Sequence, residues 1–331
     1  MPSFPLASAQ AALAKWRKIL YNYLRTSFRF VRGTCMTILY DAGAAHMSGF
    51  SEVCIVMGII IGIDVGGSTT KIVGMQNGRM IHPLMVKASD PKASIFGAFG
   101  RFLNDNNLHL DDVEQIMMTG VGAAAIHENI YGIPTARVDE FRAIGRGGLF
   151  LSGLEHAIIV SMGTGTALVA AEGGNASHIC GTGIGGGTLL GLSNRMLNIR
   201  DFDSLIATAE GGQLDHVDLF VNDLTSEQIP TLPAGTTASN FGRISDLAAP
   251  GDIAMGIINL VFQSIGVTAV LAARLERTDQ IVLIGTLTEV SYARRIFDTM
   301  EPLYGVRFLI PRHAEFATSA GAALCEPERL C

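Results

Sequence analysis

Gly62-Ile63-Asp64-Val65-Gly66-Gly67-Ser68-Thr69-Thr70-Lys71 follows directly on the apolar run Met57–Ile61. An isoleucine-rich run of this length reads as a buried strand. The paired glycines Gly66 and Gly67 predict a tight turn with positive φ, and Ser68 onward starts a second strand. The tip of such a hairpin offers backbone N–H groups, the hydroxyls of Ser68 and Thr69, and the Lys71 ammonium around one carboxylate, Asp64. Backbone N–H groups bind phosphate oxygens, and a carboxylate beside them holds Mg²⁺ directly or through water. On this segment alone, a phosphate loop and an ordinary Gly-Gly hairpin fit equally well, and Lys71 suits a strand edge as well as a phosphate.

A second segment repeats the pattern. Ala157-Ile158-Ile159-Val160-Ser161 runs into Met162-Gly163-Thr164-Gly165-Thr166 and then Ala167–Ala171. Two strand–turn–strand units predict two similar lobes gripping one polyphosphate, the plan of the actin, Hsp70 and sugar-kinase folds. A Gly-x4-Gly-Lys-Ser/Thr pattern is absent, so a P-loop NTPase is not supported. Gly181-Thr182-Gly183-Ile184-Gly185-Gly186-Gly187-Thr188 precedes a helix, where close backbone approach and a helix N-terminus favour phosphate. It also fits Gly-x-Gly-x-x-Gly, but a dinucleotide site would want that run in the first βα unit. Asp139-Glu140-Phe141 closes a predicted strand on the cleft side. Phosphoryl transfer wants a base for the acceptor hydroxyl, and Glu140 is the better placed of the two acids. The same acids also suit the first turn of a helix.

The 331 residues allow two domains. Hydrophobic residues make up 48% and charged ones 16%, enough apolar material for a large core. The 38 glycines cluster in turns rather than in low-complexity tracts. A net charge of −6 gives no general attraction to nucleic acid or anionic membrane. Five cysteines without CxxC spacing predict a reduced, cytoplasmic protein. Residues 1–56 differ from the rest: Lys15, Arg17, Lys18, Arg25, Arg29 and Arg32 face only Asp41 and Glu52. Ala11–Tyr23 suits an amphipathic basic helix. We expect residues 1–56 to be an extension outside the fold, of the kind an upstream start codon adds; a helix that targets or packs is the alternative. The expected lobes are 57–153 and 154–331.

Beyond Met57, strands are expected at Gly58–Val65, Thr70–Gln76, Arg79–Ala88, Val113–Thr119, Ile133–Val138, from Ala157, and at Gln280–Gly285. Helices are expected at Ala93–Asn104, Ala123–Ile130, Asp139–Leu151, Leu189–Asn198, Phe202–Glu210, Ala254–Leu275, Tyr292–Tyr304 and from Ser319. Leu214–Val221 reads as partly helical, and Ile229–Asn240 as loop. Asn259, Gln263 and Ser264 interrupt the long apolar helix, which argues against a membrane span. Ile284-Gly285-Thr286-Leu287 is a weak candidate for the adenine border.

Together these segments resemble a type II pantothenate kinase of the acetate kinase, sugar kinase, Hsp70 and actin superfamily. The resemblance runs from Met57 to about Leu324. It rests on Gly62–Ser68, on Met118–Gly122 with His127–Ile130, and on Val138–Phe141. It extends to Gly163–Thr166, Gly181–Gly187, Thr237–Gly242 and Phe316–Ala322. It implies a two-lobed actin-like, ribonuclease H-like α/β fold with ATP in the interlobe cleft. Phosphates would meet Asp64, Gly66, Gly67, Ser68, Thr69, Lys71, Gly163, Thr164, Gly165 and Thr166, and the run Gly181, Thr182, Gly183, Gly185, Gly186 and Gly187. Glu140 inherits the general base, Asp64 a magnesium ion through water, and His178 a substrate contact. The implied partners are pantothenate, an acyl-CoA feedback ligand and a second copy of the chain through the Ala254–Leu275 region. The family places arginine where this chain has His178. A permanent bidentate charge is replaced by a smaller, titratable one, which opens pantetheine as an acceptor. A sugar kinase of the N-acetylglucosamine type and an ATPase activator of an acyl-CoA dehydratase are the other readings.

Overall fold

The structure, a computed structural model, describes residues 38–40, 51–53, 58–87, 90–227, 229 and 232–327. The Ala11–Tyr23 helix lies outside the described residues, as does most of the 1–56 segment. What is described there is the antiparallel pair β1 (Ile38–Tyr40) and β2 (Ser51–Val53).

From Gly58 the strands are β3 (Ile59–Val65), β4 (Thr69–Gln76), β5 (Arg79–Lys87), β6 (Val113–Thr119), β7 (Thr135–Arg137), β8 (His156–Met162), β9 (Thr166–Glu172), β10 (Asn175–Thr182), β11 (Leu219–Phe220), β12 (Thr237–Ser239), β13 (Gln280–Ile284) and β14 (Arg307–Leu309). The helices are α1 (Pro91–Asp105), α2 (Glu140–Ser152), α3 (Gly186–Leu197), α4 (Phe202–Ala209), α5 (Val221–Leu224), α6 (Pro250–Leu275), α7 (Ser291–Tyr304) and α8 (Ala317–Leu324). Two five-stranded sheets follow one plan. Their orders are β5-β4-β3-β6-β7 and β10-β9-β8-β13-β14. In each, the central strand pairs antiparallel with its hairpin partner and parallel with the strand on its other side.

The alternation of β3 explains the first layer. Ile59, Ile61, Ile63 and Val65 face Ile95, Phe99 and Phe102 of α1 in one buried cluster. The opposite face lies under α8. A Cβ on Gly62 would sit 1.9 Å from the Ser319 carbonyl oxygen, so only glycine admits the helix there. α8 also crosses α2 at the closest range backbones allow: Cβ atoms on Gly147 and Gly321 would lie 1.8 Å from Ala317 O and 1.9 Å from Ala143 O. α2 packs its other side, through Ile144 and Leu149, on Ile159 and Val169 of the second sheet. This helix pair therefore joins the two sheets and fixes the start of α2 beside the end of β3. α6 is long and apolar enough to cross a membrane by length and composition. Ile257, Ile258, Val261, Phe262 and Ile265 are nevertheless fully buried in the second lobe's core, the surroundings of a core helix.

The structure corrects several local expectations. Ala123–Ile130 is not a helix: a short 3₁₀ turn covers Val121–Ala125, and the Arg137 guanidinium donates to the Ala124 and Ile126 carbonyl oxygens, capping the turn there. α3 begins at Gly186, three residues before the expected Leu189. The Ile229–Asn240 loop contains β12, paired with β11 at the end of the segment read as partly helical. Strands β10 and β14 were not foreseen.

Candidate functional site

The first hairpin ends at the carboxyl end of β3. Its tip is closed by Gly66 N–H donating to Thr69 O at 2.9 Å. Neither Gly66 nor Gly67 takes the positive φ expected of them. Space is tight at Gly66 instead, where a Cβ would press on Thr69 O at 3.0 Å, whereas Gly67 is open. Asp64 and Lys71 face each other in register, with Nζ 4.0 Å from Oδ2. Burial pushes the Asp64 carboxyl above its ordinary value, and the Lys71 ammonium opposes that shift. Thr119 of β6 stands opposite Asp64 on the other side. Gly120 then turns with φ +87°, and a Cβ there would lie 2.8 Å from Asp64 Oδ1 and 2.6 Å from Val65 O. The chain closes around Asp64 only because Gly120 has no side chain.

The second hairpin is built of backbone. Gly163 N–H donates to Gly165 O at 2.9 Å. Leaving β10, the chain wraps onto this tip: Gly186 N–H donates to Gly163 O and Gly187 N–H to Thr164 O, both at 2.9 Å. The Thr166 hydroxyl donates to Ile184 O at 2.8 Å. A Cβ on Gly185 would meet Thr164 O at 2.6 Å. Two N–H groups at the start of α3 are thus taken up by the hairpin. They hold the glycine run in place instead of pointing at a ligand.

Glu140 opens α2, whose N-cap Asp139 accepts from Arg142 N–H at 2.9 Å. The Glu140 carboxyl is raised above its ordinary value, first by burial, then by the nearby carboxylates of Asp64 and Asp139. A base carried toward neutrality is what proton transfer near pH 7 uses best. His178 sits at a bulge of β10, where pairing slips between His178 and Cys180. Its ring stacks on Phe141, with centroids 4.0 Å apart and planes at 20°.

These elements enclose a cleft of about 1000 Å³. Asp64, Gly66–Thr69, Lys71, Glu140, Gly163–Thr166, Gly181–Gly183, Gly186 and Gly187 line it, as do Gly285, Thr286 and Leu287. Two expected residues do not. Gly185 lies behind the second hairpin, and His178 stacks on Phe141, outside the lining, with its Nε2 3.8 Å from where a Cβ on Gly181 would stand. Lys87, Leu190 and Phe202 also line the cleft and carried no motif to announce them. Val121, Ser161, Ala167 and Thr318 line it too, from within segments already quoted, though no role was read for them there.

Residues 156–303 match the Fumble family. The type II pantothenate kinase of Staphylococcus aureus is 29% identical over 278 residues, 80% of this chain and 99% of the relative. That of Staphylococcus epidermidis is 27% identical over 273 residues, covering 79% and 98%. In fold, the chain is similar to the activator of the 2-hydroxyisocaproyl-CoA dehydratase from Clostridium difficile with bound ADPNP. The TM-score there is 0.59 at 17% identity, covering 80% of this chain and 93% of the other. It is also similar to a ROK family glucokinase from Streptomyces griseus in complex with glucose and AMPPNP, with TM-score 0.52 at 13% identity, covering 80% and 98%. The two-lobed actin-like fold and the sequence relationship agree: the chain is a homologue of the type II pantothenate kinases.

Proposed function

We propose that this protein transfers the γ-phosphoryl group of ATP to the primary hydroxyl of pantothenate, giving 4′-phosphopantothenate, the first step of coenzyme A synthesis. The observation that carries the reading is the convergence of both hairpin tips, the glycine run and Glu140 on one cleft. The relatives named for pantothenate phosphorylation supply the acceptor.

In this reading the lobes are 57–153 and 154–331, with 1–56 as an extension. The nucleotide phosphates lie between Gly66–Thr69 and Gly163–Thr166, beside the Gly181–Gly187 run. Glu140 accepts the acceptor's proton as the hydroxyl oxygen bonds to the γ-phosphorus. The bond from phosphorus to the β,γ-bridging oxygen breaks, and ADP leaves. Asp64, one carboxylate beside a phosphate loop, fits magnesium held through water, since that ion keeps most of its waters and takes one or two protein carboxylates. Bound there, it neutralises phosphate charge. Lys71 offsets the Asp64 charge, and Gly120 fixes where that carboxylate stands. Most of the rate comes from alignment and charge stabilisation. His178, stacked on Phe141 next to Glu140, borders the acceptor in this reading. The exposed stripe Val267, Leu271 and Leu275 on α6 supports a homodimer. A cytoplasmic setting and acyl-CoA feedback complete the proposal.

The test is ADP release from Mg²⁺-ATP with pantothenate, pantetheine or N-acetylglucosamine, using the full chain. Turnover with pantothenate is expected. Turnover with pantetheine alone, or with none of the three, overturns the acceptor and makes His178 the mark of a changed substrate.

A further inference from the structure

The charges around the cleft leave a question that none of the motifs answers. Its described lining carries two acids, Asp64 and Glu140, and two cations, Lys71 and Lys87. Lys71 is only 6% exposed and stands 4.0 Å from Asp64, so its charge is already spent on that carboxylate. Lys87 is exposed at the end of the edge strand β5, and among the described residues it forms no ion pair within 4.0 Å. A polyphosphate entering this cleft meets one uncommitted cation there, and it belongs to the first sheet.

Across the rim stands the start of α4. Its N-cap Asp201 accepts from Ser204 N–H at 2.8 Å, and its first residue, Phe202, lines the cleft. The Phe202 ring also backs the glycine run, since a Cβ on Gly186 would sit 3.1 Å from it. The Asp201 carboxyl is held below its ordinary value by its hydrogen bonds from Ser204 and further by the Lys87 ammonium. Lys87 and Phe202, the residue after Asp201, line the same cleft, so Lys87 shares it with the rim at the start of α4.

We propose that Lys87 binds the terminal phosphates of the nucleotide, as the cation that the first lobe extends across the cleft toward the second-lobe glycine run. This rests on the ATP reading above. The long flexible stem of lysine suits a point charge that reaches over a rim, and a charge-assisted contact to phosphate is among the stronger polar contacts available. Asp201 competes with phosphate for Lys87.

The experiment is calorimetric binding of AMPPNP, and of adenosine as a phosphate-free control, to the full chain and to three variants. Lys87→Met should weaken AMPPNP binding by about tenfold or more and leave adenosine unchanged. Lys87→Arg, which keeps the charge, should recover most of the loss. Asp201→Asn, which keeps an N-cap acceptor, should leave AMPPNP binding equal or tighter. Three results overturn the proposal: Lys87→Met binding AMPPNP within twofold of wild type, equal losses for AMPPNP and adenosine, or Asp201→Asn weakening AMPPNP as much as Lys87→Met does. The last would make the pair a structural latch. Failure of the ATP reading itself is distinct, because the wild-type chain would then not bind AMPPNP at all, and that too ends the proposal.

Discussion

The two sheets are built to one plan but equipped differently. At the end of β3 the cross-strand row is Lys71–Asp64–Thr119. At the equivalent end of β8 it is Ala167–Ser161–Ile284. Each row is followed by a glycine with positive φ that abuts its central strand: Gly120 against Val65 O, and Gly285 against Met162 O at 2.5 Å. The first lobe thus carries the ionisable chemistry and the second a neutral cradle of backbone. The separation has an electrostatic logic. Phosphate oxygens are bound well by N–H groups that need no counter-charge, while burial works against the charge of the Asp64 carboxylate, and Lys71 opposes that effect.

The sharpest way to break this asymmetry is Glu140→Gln. Turnover should fall by about 10²- to 10⁴-fold, the usual contribution of a general base, while AMPPNP binding stays within about twofold, as the second-lobe cradle is untouched. Steady-state kinetics and calorimetry on the same preparation check both halves. Unchanged turnover removes Glu140 from the mechanism.

The matched glycines come next. Gly120→Ala and Gly285→Ala each place a Cβ on a carbonyl oxygen at positive φ. Each should cost about 1–3 kcal/mol of stability. Their kinetic signatures should differ. A Cβ at position 120 also meets Asp64 Oδ1, so Gly120→Ala should lower kcat, whereas Gly285→Ala should mainly raise KM for ATP. Thermal melts with a kcat and KM comparison decide it. Identical signatures would mean that the two lobes are functionally equivalent at these ends.

The raised Glu140 carboxyl gives a pH test. The base must be ionised, so kcat/KM should fall as pH drops through a pKa above the ordinary glutamate value. Stability runs the other way. A folded-state pKa above the unfolded one means that the folded protein binds this proton more tightly. The group therefore favours folding at low pH, and that benefit is lost as pH rises between the two values. Glu140→Gln lacks this group, so its melting temperature relative to wild type should increase from pH 4 to pH 8. A pH-independent difference would contradict the assignment.

The contrast between the lobes also explains what could be read from sequence. β3 and β8 announce themselves because isoleucine and valine runs are buried on both sides, and the hairpin glycines follow at once. β10, Asn175–Thr182, has no such run. It is an edge strand, half exposed, held by backbone pairing to β9, so side-chain pattern carries no trace of it. The Ala123–Ile130 segment misleads for the opposite reason. Its alanines favour helix, but a tertiary contact from Arg137 claims the carbonyls. Lys87 was illegible because an exposed lysine at a strand end acquires meaning only from what the fold sets across from it.

The smallest expected effect probes the cradle itself. Thr166 is buried, and its hydroxyl donates to Ile184 O, pinning the second hairpin to the glycine run. Thr166→Val keeps the shape and removes that bond, leaving Ile184 O without its donor. A net loss of about 1 kcal/mol follows for a neutral hydrogen bond of this kind, seen as a melting shift of a few degrees or less for a chain this long. If the cradle acts through backbone position, KM for ATP should rise severalfold with kcat unchanged, since Glu140 and Asp64 lie on other elements. A fall in kcat instead would mean that the second lobe takes part in the chemical step, and the division of labour between the two sheets would have to be abandoned.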